Sequence, residues 1–487
     1  YAKKRGLILI NRPKKYLGKC TISDLAPYLI KFMKEKLIIY ELNEIPKKLL
    51  DFYISLRPNS NIANLKIYGQ FVETFTTDKG ELHPWTTWST FYRGVDSSLH
   101  KIKSLNQKIK EEHFPPIWKI LIKKGVNIGI FGTLQSYPPI KDNRVKFYLP
   151  DTFAPDYKAY PKYLENFQKF NLSIVSNNSG EIRSFTMTEI KNFIFYILSF
   201  NIRIRVLLKI ISQVFKENIN RKFKKRRSLL QPELTFDLFY SCLKKHKPEF
   251  STFFTNHLAG MMHYYWLDIF PSEFNKPYRN PELFNKNSVI KALDIADRQI
   301  GLLKSFAQEN SYELWIASSM GQSAIKRKKS HKLFLRDFKK ILSSMGFNGN
   351  LYKQLPSMYP DINIESNSEE NINKLIKKML EIKTLKNNEK IFSLRYRQSV
   401  KQVNLIFRPI YYKEKYLKFK NKKINIKDCG LEYDMKENIG TGYHNPDGIL
   451  LTFGEKSRKI LKGVKKIDTK LIFPVILKFF NIKKKTI

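Results

Sequence analysis

Four short apolar runs, each ending in small or polar residues, organise the chain. The first lies within residues 37–46, where an apolar run leads into Glu41, Asn43 and Glu44. It is short and is closed by a proline, so it predicts a buried strand with polar groups at its C-terminal end. In an open α/β sheet, that edge is where ligands bind. The same pattern recurs in residues 126–137, 250–263 and 312–322.

Helical patterns separate these runs. Residues 23–33, 47–56, 117–124, 232–245, 288–308 and 325–345 predict helices, and residues 471–482 predict a last one. Residues 392–412 and 416–426 predict antiparallel strands, whereas the prolines in residues 147–156 favour an irregular segment. Alternating helices and strands predict an α/β sheet followed by an antiparallel accessory region.

The predicted organisation has four parts. Residues 1–36 form a basic N-terminal extension, and residues 37–340 form an α/β core with a helical insert at about 185–235. Residues 341–435 form an accessory α+β region. Residues 436–487 return to the core sheet and end in a helix.

The net charge of +45, from 88 Lys and Arg against 43 Asp and Glu, favours anionic partners. Basic residues are spread over the whole length, so a composition bias with a general preference for anions is the favoured interpretation. No zinc-finger or RNP-type motif is present, which makes nucleic acid a disfavoured partner that the sequence leaves open.

Residues 189–227 have two interpretations. They begin with a helical pattern that is apolar on several faces and run into the basic stretch 221–227. One interpretation is an interfacial helix on an anionic membrane. The other, which is favoured, is a helical insert on the core that ends in a solvated basic loop.

Cysteine usage and hydropathy bear on the compartment. Cys20, Cys242 and Cys429 are far apart, which argues against a disulfide framework and a cysteine metal site. No stretch has the roughly 18 consecutive apolar residues of a membrane span, and the given chain shows no signal peptide. A reducing, cytoplasmic location is the simpler expectation.

Several motifs occur in a fixed order after the first strand. These are TTWSTFYRG at 86–94, GVNIGIFGTLQSYPP at 125–139, AGMMH at 259–263, ASSMGQ at 317–322 and GTGYHNPDG at 440–448. Their order and spacing resemble the alkaline phosphatase superfamily, closest to its type I phosphodiesterase/nucleotide pyrophosphatase and sulfatase-like branches. The resemblance covers residues 37 to about 482.

The resemblance implies a three-layer α/β/α sandwich of alkaline phosphatase type, with a helical insert and a smaller α+β accessory region. It also implies chemistry on phosphate or sulfate esters. In that family two divalent metals activate a hydroxyl nucleophile and stabilise charge on the transferring group.

This chain departs from the family pattern at several metal-ligand positions. Asn43 stands where the first strand should end in Asp, and Ala259 replaces the Asp of a D-x-x-x-H pair. Ser319 and Met320 replace an Asp-His pair. The resemblance therefore implies a divergent member with a degenerate metal site.

Two imidazoles of the pattern remain, His263 and His444. They would hold a single divalent metal, zinc or manganese, with help from Glu44, Asn43 or His257. A site without metal is the alternative, in which His263 is a core or stacking residue and His257 a hydrogen-bonded strand-end residue.

Thr86 is the candidate nucleophile, with Thr87 beside it; a buried structural hydroxyl is an equally good interpretation of Thr86. The remaining candidate pocket residues surround these motifs and are His83, Trp85, Thr87, His257, Ser319 and Gln322.

Three functions follow as hypotheses. The first is a divergent hydrolase or transferase acting on an anionic small-molecule, glycan or lipid ester. The second is a pseudoenzyme that binds an anionic glycan, lipid or nucleotide without turnover. The third is a basic protein that binds nucleic acid or a membrane surface.

Overall fold

The structure is a computed structural model. It describes residues 34–105, 113–175, 203–275, 279–325, 333–355, 361–433 and 440–483, with the single residues 107, 277, 331 and 357. The predicted helix at 23–33, almost all of the basic extension and residues 189–202 lie outside these ranges.

The strands of the described residues are, in chain order, β1 (Leu37–Leu42), β2 (Gln70–Phe75), β3 (Ile128–Phe131), β4 (Val145–Leu149), β5 (Phe250–Thr255), β6 (Glu313–Ala317), β7 (Gly321–Ala324), β8 (Leu333–Leu335), β9 (Tyr352–Leu355), β10 (Asp361–Ser366), β11 (Lys383–Thr384), β12 (Phe392–Ser399), β13 (Gln402–Phe407), β14 (Tyr416–Phe419), β15 (Lys422–Asn425), β16 (Leu431–Tyr433), β17 (Gly442–Asn445), β18 (Asp447–Phe453) and β19 (Lys466–Asp468).

The helices of the same ranges are α1 (Lys47–Leu56), α2 (Asn61–Tyr68), α3 (Pro84–Arg93), α4 (Ser97–His100), α5 (Ile117–Lys123), α6 (Leu164–Val175), α7 (Ile204–Ile219), α8 (Leu230–His246), α9 (His257–Ile269), α10 (Leu283–Asn310), α11 (Phe338–Ser344), α12 (Glu369–Leu380), α13 (Glu455–Ile460) and α14 (Ile472–Phe479). Short 3₁₀ helices occupy Arg221–Leu229, Pro271–Glu273, Gly349–Leu351 and Thr469–Leu471.

An eight-stranded mixed sheet in the order β19-β2-β18-β6-β1-β5-β3-β4 forms the middle layer. Side chains alternate along β1, so that Ile38 and Tyr40 pack under α1, α2, α8, α9 and α10 on one face. Leu37 and Ile39 face the opposite core, beneath α3, α5 and α14. The predicted three-layer α/β/α sandwich is thereby confirmed.

The register of the central strands brings their C-terminal ends to one edge. β1 lies parallel between β5 and β6, with Leu42 opposite Thr255 and Glu41 opposite Ala317. The residues that follow each strand therefore meet at this edge. β17 pairs antiparallel with β7 beside it and places His444 opposite Gln322.

The accessory region has its own core. β9, β10, β12 and β13 form a four-stranded antiparallel sheet, and α12 packs against it. The antiparallel strands expected in residues 392–412 are β12 and β13, and those expected in residues 416–426 are β14 and β15.

Two local predictions are wrong. Residues 147–149 are not irregular but belong to β4, which pairs with β3 and buries Phe147 and Tyr148. Residues 325–345 are not helical throughout, because 333–335 form β8 and pair with β16, about a hundred positions later. In both segments a partner distant in sequence decides the local conformation.

The insert places α7, the 3₁₀ helix Arg221–Leu229 and α8 beside the sheet. None of the helices within the described ranges has the length and apolarity to cross a bilayer.

Candidate metal centre

Glu44 lies just beyond the end of β1, where it is almost completely buried. Its backbone is left-handed, with φ of 63°. This conformation is uncommon for a residue with a Cβ atom and costs free energy, so the surrounding structure must hold it in place. The turn directs the Glu44 carboxylate towards α9 and β17.

Two histidines from these elements meet that carboxylate. The Nε2 atom of His263, on α9, lies 3.1 Å from Oε2 of Glu44. The Nε2 atom of His444, on β17, lies 3.4 Å from the same oxygen. One ligand atom from each residue lies within 4.8 Å of the others. The two surviving histidines of the motif and Glu44 thus form one cluster.

The other nitrogen of each ring is fixed by the backbone. His263 Nδ1 donates to the carbonyl of Gly442 at 3.0 Å, and His444 Nδ1 donates to the carbonyl of Leu82 at 2.7 Å. A carbonyl can only accept, so a neutral ring presents the Nε2 lone pair to the carboxylate. Two lone pairs facing an anionic oxygen require a proton or a cation between them. Metal-binding histidines are oriented by the same kind of outer hydrogen bond.

The donor set fits a divalent ion. Two imidazole nitrogens and one carboxylate oxygen are zinc-type ligands, and three protein ligands leave a coordination position open. The cluster also lies at the edge where the parallel strands end.

Neighbouring amides orient the carboxylate. Gln322 donates to Oε2 of Glu44, and Asn43 donates to Oε1 at 2.8 Å. The carbonyl oxygen of Asn43 accepts a hydrogen bond from Trp88 Nε1 at 2.8 Å. Asn43 therefore supports Glu44, and its own oxygen is already occupied.

The charges of the cluster reinforce one another. Burial raises the pKa of Glu44, but the nearby His444 and His263 outweigh this and hold the pKa well below its ordinary value. Burial lowers the pKa of His444, yet the Glu44 carboxylate outweighs it and raises that pKa above its ordinary value. The cluster is built around an ionised Glu44.

Close approach of β17 to α9 depends on Gly442. A Cβ atom on this residue would lie 2.5 Å from the carbonyl oxygen of Met262 and 2.7 Å from Oε1 of Gln322. Real Cβ atoms essentially never come so close to other heavy atoms. Glycine at this position lets the strand that carries His444 reach the helix that carries His263.

His83 and Trp85 form a rim beside His444. Their rings stack at 4.4 Å with an interplanar angle of 1°, and His83 meets His444 edge-on at 5.7 Å. Burial lowers the pKa of His83 to about 4, so that its ring is neutral and can accept a hydrogen bond.

The donor to His83 is Arg395 of β12, in the accessory region. Arg395 also pairs with Asp361 at 3.3 Å and with Glu81 at 3.4 Å. Arg395 is a residue of the site that no sequence motif indicates. It lies 312 positions from His83, and no local pattern links the two residues.

The candidate threonines lie on α3, which starts with Pro84 and ends at Gly94 in a left-handed conformation with φ of 70°. Thr86 donates to the carbonyl of Ile102 at 3.1 Å, on a different side of the helix from Thr87. The Thr87 hydroxyl lies 2.7 Å from that of Ser319. The role of Thr86 as a nucleophile stays a prediction.

His257 is engaged elsewhere. Its Nδ1 lies 2.7 Å from the Thr255 hydroxyl, and its Nε2 donates to the carbonyl of Ala292 at 3.0 Å. Burial lowers its pKa to about 4, which keeps the ring neutral. Both ring nitrogens are occupied by hydrogen bonds, so His257 offers no nitrogen to a metal.

Comparisons with known proteins give fold neighbours only. No family model matches the chain, and no curated protein sequence matches it. Among solved structures, an inactive murine ectonucleotide pyrophosphatase/phosphodiesterase 5 in complex with AMP is similar at 12% identity and a TM-score of 0.40. The match covers 92% of this chain and 96% of that chain.

Two further structures of this type are similar over the same shares of both chains. A second structure of the murine protein matches at 11% identity and a TM-score of 0.39, and the human protein matches at 10% and 0.38.

Proposed function

We propose that Glu44, His263 and His444 bind one divalent cation, zinc or manganese, and that the chain is a hydrolase or transferase acting on a phosphate or sulfate ester. The supporting observation is the orientation of the two imidazoles. Both donate Nδ1–H to a backbone carbonyl and direct Nε2 at the same oxygen of a buried carboxylate.

A divalent ion in this position would supply Lewis acidity towards an ester oxygen and stabilise the charge that develops on it. Glu44 supplies the negative charge that holds the ion, and the amides of Gln322 and Asn43 keep its carboxylate in orientation. His263 is the most open of the three, with 31% of its side chain exposed, so substrate would approach from its side.

An anionic substrate fits the surroundings. The chain carries a large excess of positive charge, although the guanidinium of Arg395 at the rim is already paired with Asp361 and Glu81. A phosphate or sulfate group would be attracted to this edge of the sheet. Glycan and lipid esters remain within the proposed substrate class, as do nucleotides.

Binding without turnover is the second candidate function, and the two threonines favour it. Thr86 and Thr87 are buried, and each hydroxyl is engaged in a hydrogen bond with a neighbouring group. Either hydroxyl would have to exchange that bond before it could attack a substrate. A pseudoenzyme that binds its ligand without turnover is therefore the alternative to the enzyme.

The first test is elemental analysis of the purified protein. We expect about one zinc or manganese ion per chain in the wild type, and loss of that ion in His444→Ala. His113→Ala is the matched control. His113 is exposed, so this substitution also removes one imidazole but leaves the cluster unchanged. Metal-free wild-type protein that also fails to take up added zinc or manganese would refute the metal centre.

The second test measures turnover of bis(4-nitrophenyl) phosphate and 4-nitrophenyl sulfate by the metal-loaded protein. Hydrolysis that His444→Ala abolishes supports the enzyme, and Thr86→Val and Thr87→Val then decide which hydroxyl it needs. AMP, which is bound in one of the similar structures, is a suitable first ligand for calorimetry. Metal-dependent AMP binding without hydrolysis supports the binding protein.

A further inference from the structure

Helix α7 exposes a continuous apolar stripe. Its members recur four, seven, eleven and fifteen positions after the first, which places them on one face of a helix. Exposed fractions reach 73% for Ile204, 67% for Phe215 and 71% for Ile219. The stripe consists of Ile204, Leu208, Ile211, Phe215 and Ile219. An apolar surface of this length on a folded chain marks an interaction site.

The opposite face of α7 is attached to α8, so the stripe must point outwards. Val206 packs against Leu234 in a small apolar cluster. Arg203 donates from Nε to Asp237 at 2.9 Å, and Lys209 pairs with Glu233. These two ion pairs and a few apolar contacts attach the inner face to α8, while the larger apolar surface remains on the outside.

Positive charge borders the stripe. Arg205 and Lys216 are exposed along one flank of the helix. In the 3₁₀ helix that follows, Arg221, Lys222 and Lys224 are exposed as well. The exposed side of α7 therefore combines the apolar stripe with a cation near each end of the helix, and further exposed cations follow in the 3₁₀ helix.

Negative charge is absent from the outer face of α7. Glu217 is the single acidic residue of this helix, and it is buried on the inner side, where Arg227 donates to it from Nε at 3.1 Å. The basic run that the sequence predicts as a solvated loop is thus divided between inward and outward residues. Arg226 also turns inward, with its guanidinium 4.0 Å from the Phe284 ring centroid.

We propose that this face of α7 docks on an anionic lipid bilayer, with the helix axis parallel to the membrane surface. An anionic bilayer satisfies both components, because acyl chains accept the apolar stripe and acidic headgroups accept the cations. Nucleic acid would use the cations and leave the stripe in water. The 16 residues of α7 give a contact roughly 24 Å long.

Membrane docking through α7 is independent of the metal centre. None of the residues of the stripe or of its cationic border belongs to the Glu44 cluster, and contact with a bilayer requires no catalytic activity.

The test is co-sedimentation of the full chain with phosphatidylcholine vesicles that do or do not contain phosphatidylglycerol. We expect binding to the anionic vesicles that weakens as salt concentration rises. The double variant Ile211→Glu/Phe215→Glu should bind at least about tenfold more weakly. Ile67→Glu is the matched control, since Ile67 is 69% exposed on α2 and should not affect binding.

A second variant tests the cationic border. Arg205→Gln/Lys216→Gln should reduce binding to anionic vesicles by about fivefold for each charge removed. Circular dichroism checks that both double variants retain the helical content of the wild type, as expected for substitutions of exposed residues.

Several outcomes would overturn the proposal. Wild-type protein that does not sediment with anionic vesicles is one, and equal binding by Ile211→Glu/Phe215→Glu is another. Two further measurements, sedimentation velocity and binding to a duplex DNA probe, can also contradict the proposal. A stripe variant that only abolishes self-association would assign the face to a second copy of the chain. Salt-sensitive DNA binding without vesicle binding would assign the cations to nucleic acid.

Discussion

Replacing Glu41 with Gln should change how the stability of the fold depends on pH. Glu41 is fully buried in β1 and accepts hydrogen bonds at Oε1 from the hydroxyls of Tyr92, at 2.5 Å, and Thr133, at 2.8 Å. Nothing in the described ranges bonds to Oε2. Burial outweighs these hydrogen bonds and raises the pKa of Glu41 from 4.5 to about 8.

Because folding raises the pKa of Glu41, this carboxyl stabilises the fold at low pH and ceases to do so at high pH. Between pH 4.5 and about 8 the folded chain keeps the Glu41 proton, and the unfolded chain loses it. The stabilising contribution is fully present below pH 4.5 and disappears as pH rises through the folded pKa near 8. Each pH unit in this window lowers the unfolding free energy by about 1.4 kcal/mol. From about pH 5.5 to 7.5 the loss is about 3 kcal/mol.

Glutamine resembles the protonated carboxyl and does not titrate. The stability of Glu41→Gln relative to wild type should therefore rise by about 1.4 kcal/mol per pH unit in this window. Scanning calorimetry at about pH 5.5, 6.5 and 7.5 measures the difference, while other titrating groups cancel between the two proteins. Glu309→Gln, at an exposed position on α10, is the control. A difference that stays constant over the three pH values would refute the reasoning.

Two further substitutions test contacts around the candidate site. Gly442→Ala should destabilise the fold by about 1–3 kcal/mol and weaken zinc binding in calorimetry, because its Cβ would collide with α9. Gly260→Ala has open space at the new Cβ and should leave zinc affinity unchanged; equal effects of both would contradict this. Arg395→Met should lower the melting temperature, at a cost of about 3 kcal/mol, by leaving a buried carboxylate unpaired. Arg397→Met is the control, because it breaks an exposed ion pair with Glu369 that is worth at most about 1 kcal/mol. Equal melting temperatures of the two variants would show that the ion pair of Arg395 has no special weight.

Much of the architecture follows from the sequence alone. Apolar runs of strand length must be buried, and the period of the intervening segments predicts helices that cover them. Helix α1 has the bounds predicted from its pattern, Lys47–Leu56. The same pattern predicts the α/β sheet and the antiparallel accessory region, both of which are confirmed, whereas the three-layer arrangement is expected only from the resemblance of the motifs. The pattern does not predict strands β4 and β8, because each is stabilised by pairing with another segment of the chain, about which the local sequence carries no information.

The candidate site divides in the same way. The order of the motifs points to His263 and His444 as metal ligands, and it leaves Glu44 as one of three residues that would assist them. Only the tertiary structure separates Glu41, which enters the core under α3, from Glu44, which a left-handed backbone directs at the two imidazoles.

Packing also decides the roles of the other candidates. Asn43 orients the carboxylate, His257 is committed to hydrogen bonds, and Arg395 arrives from the accessory sheet. A sequence fixes which side chains are present and the period with which they repeat. Which of their atoms converge is decided by strand register, backbone turns and contacts between distant segments, and these arise only when the whole core packs.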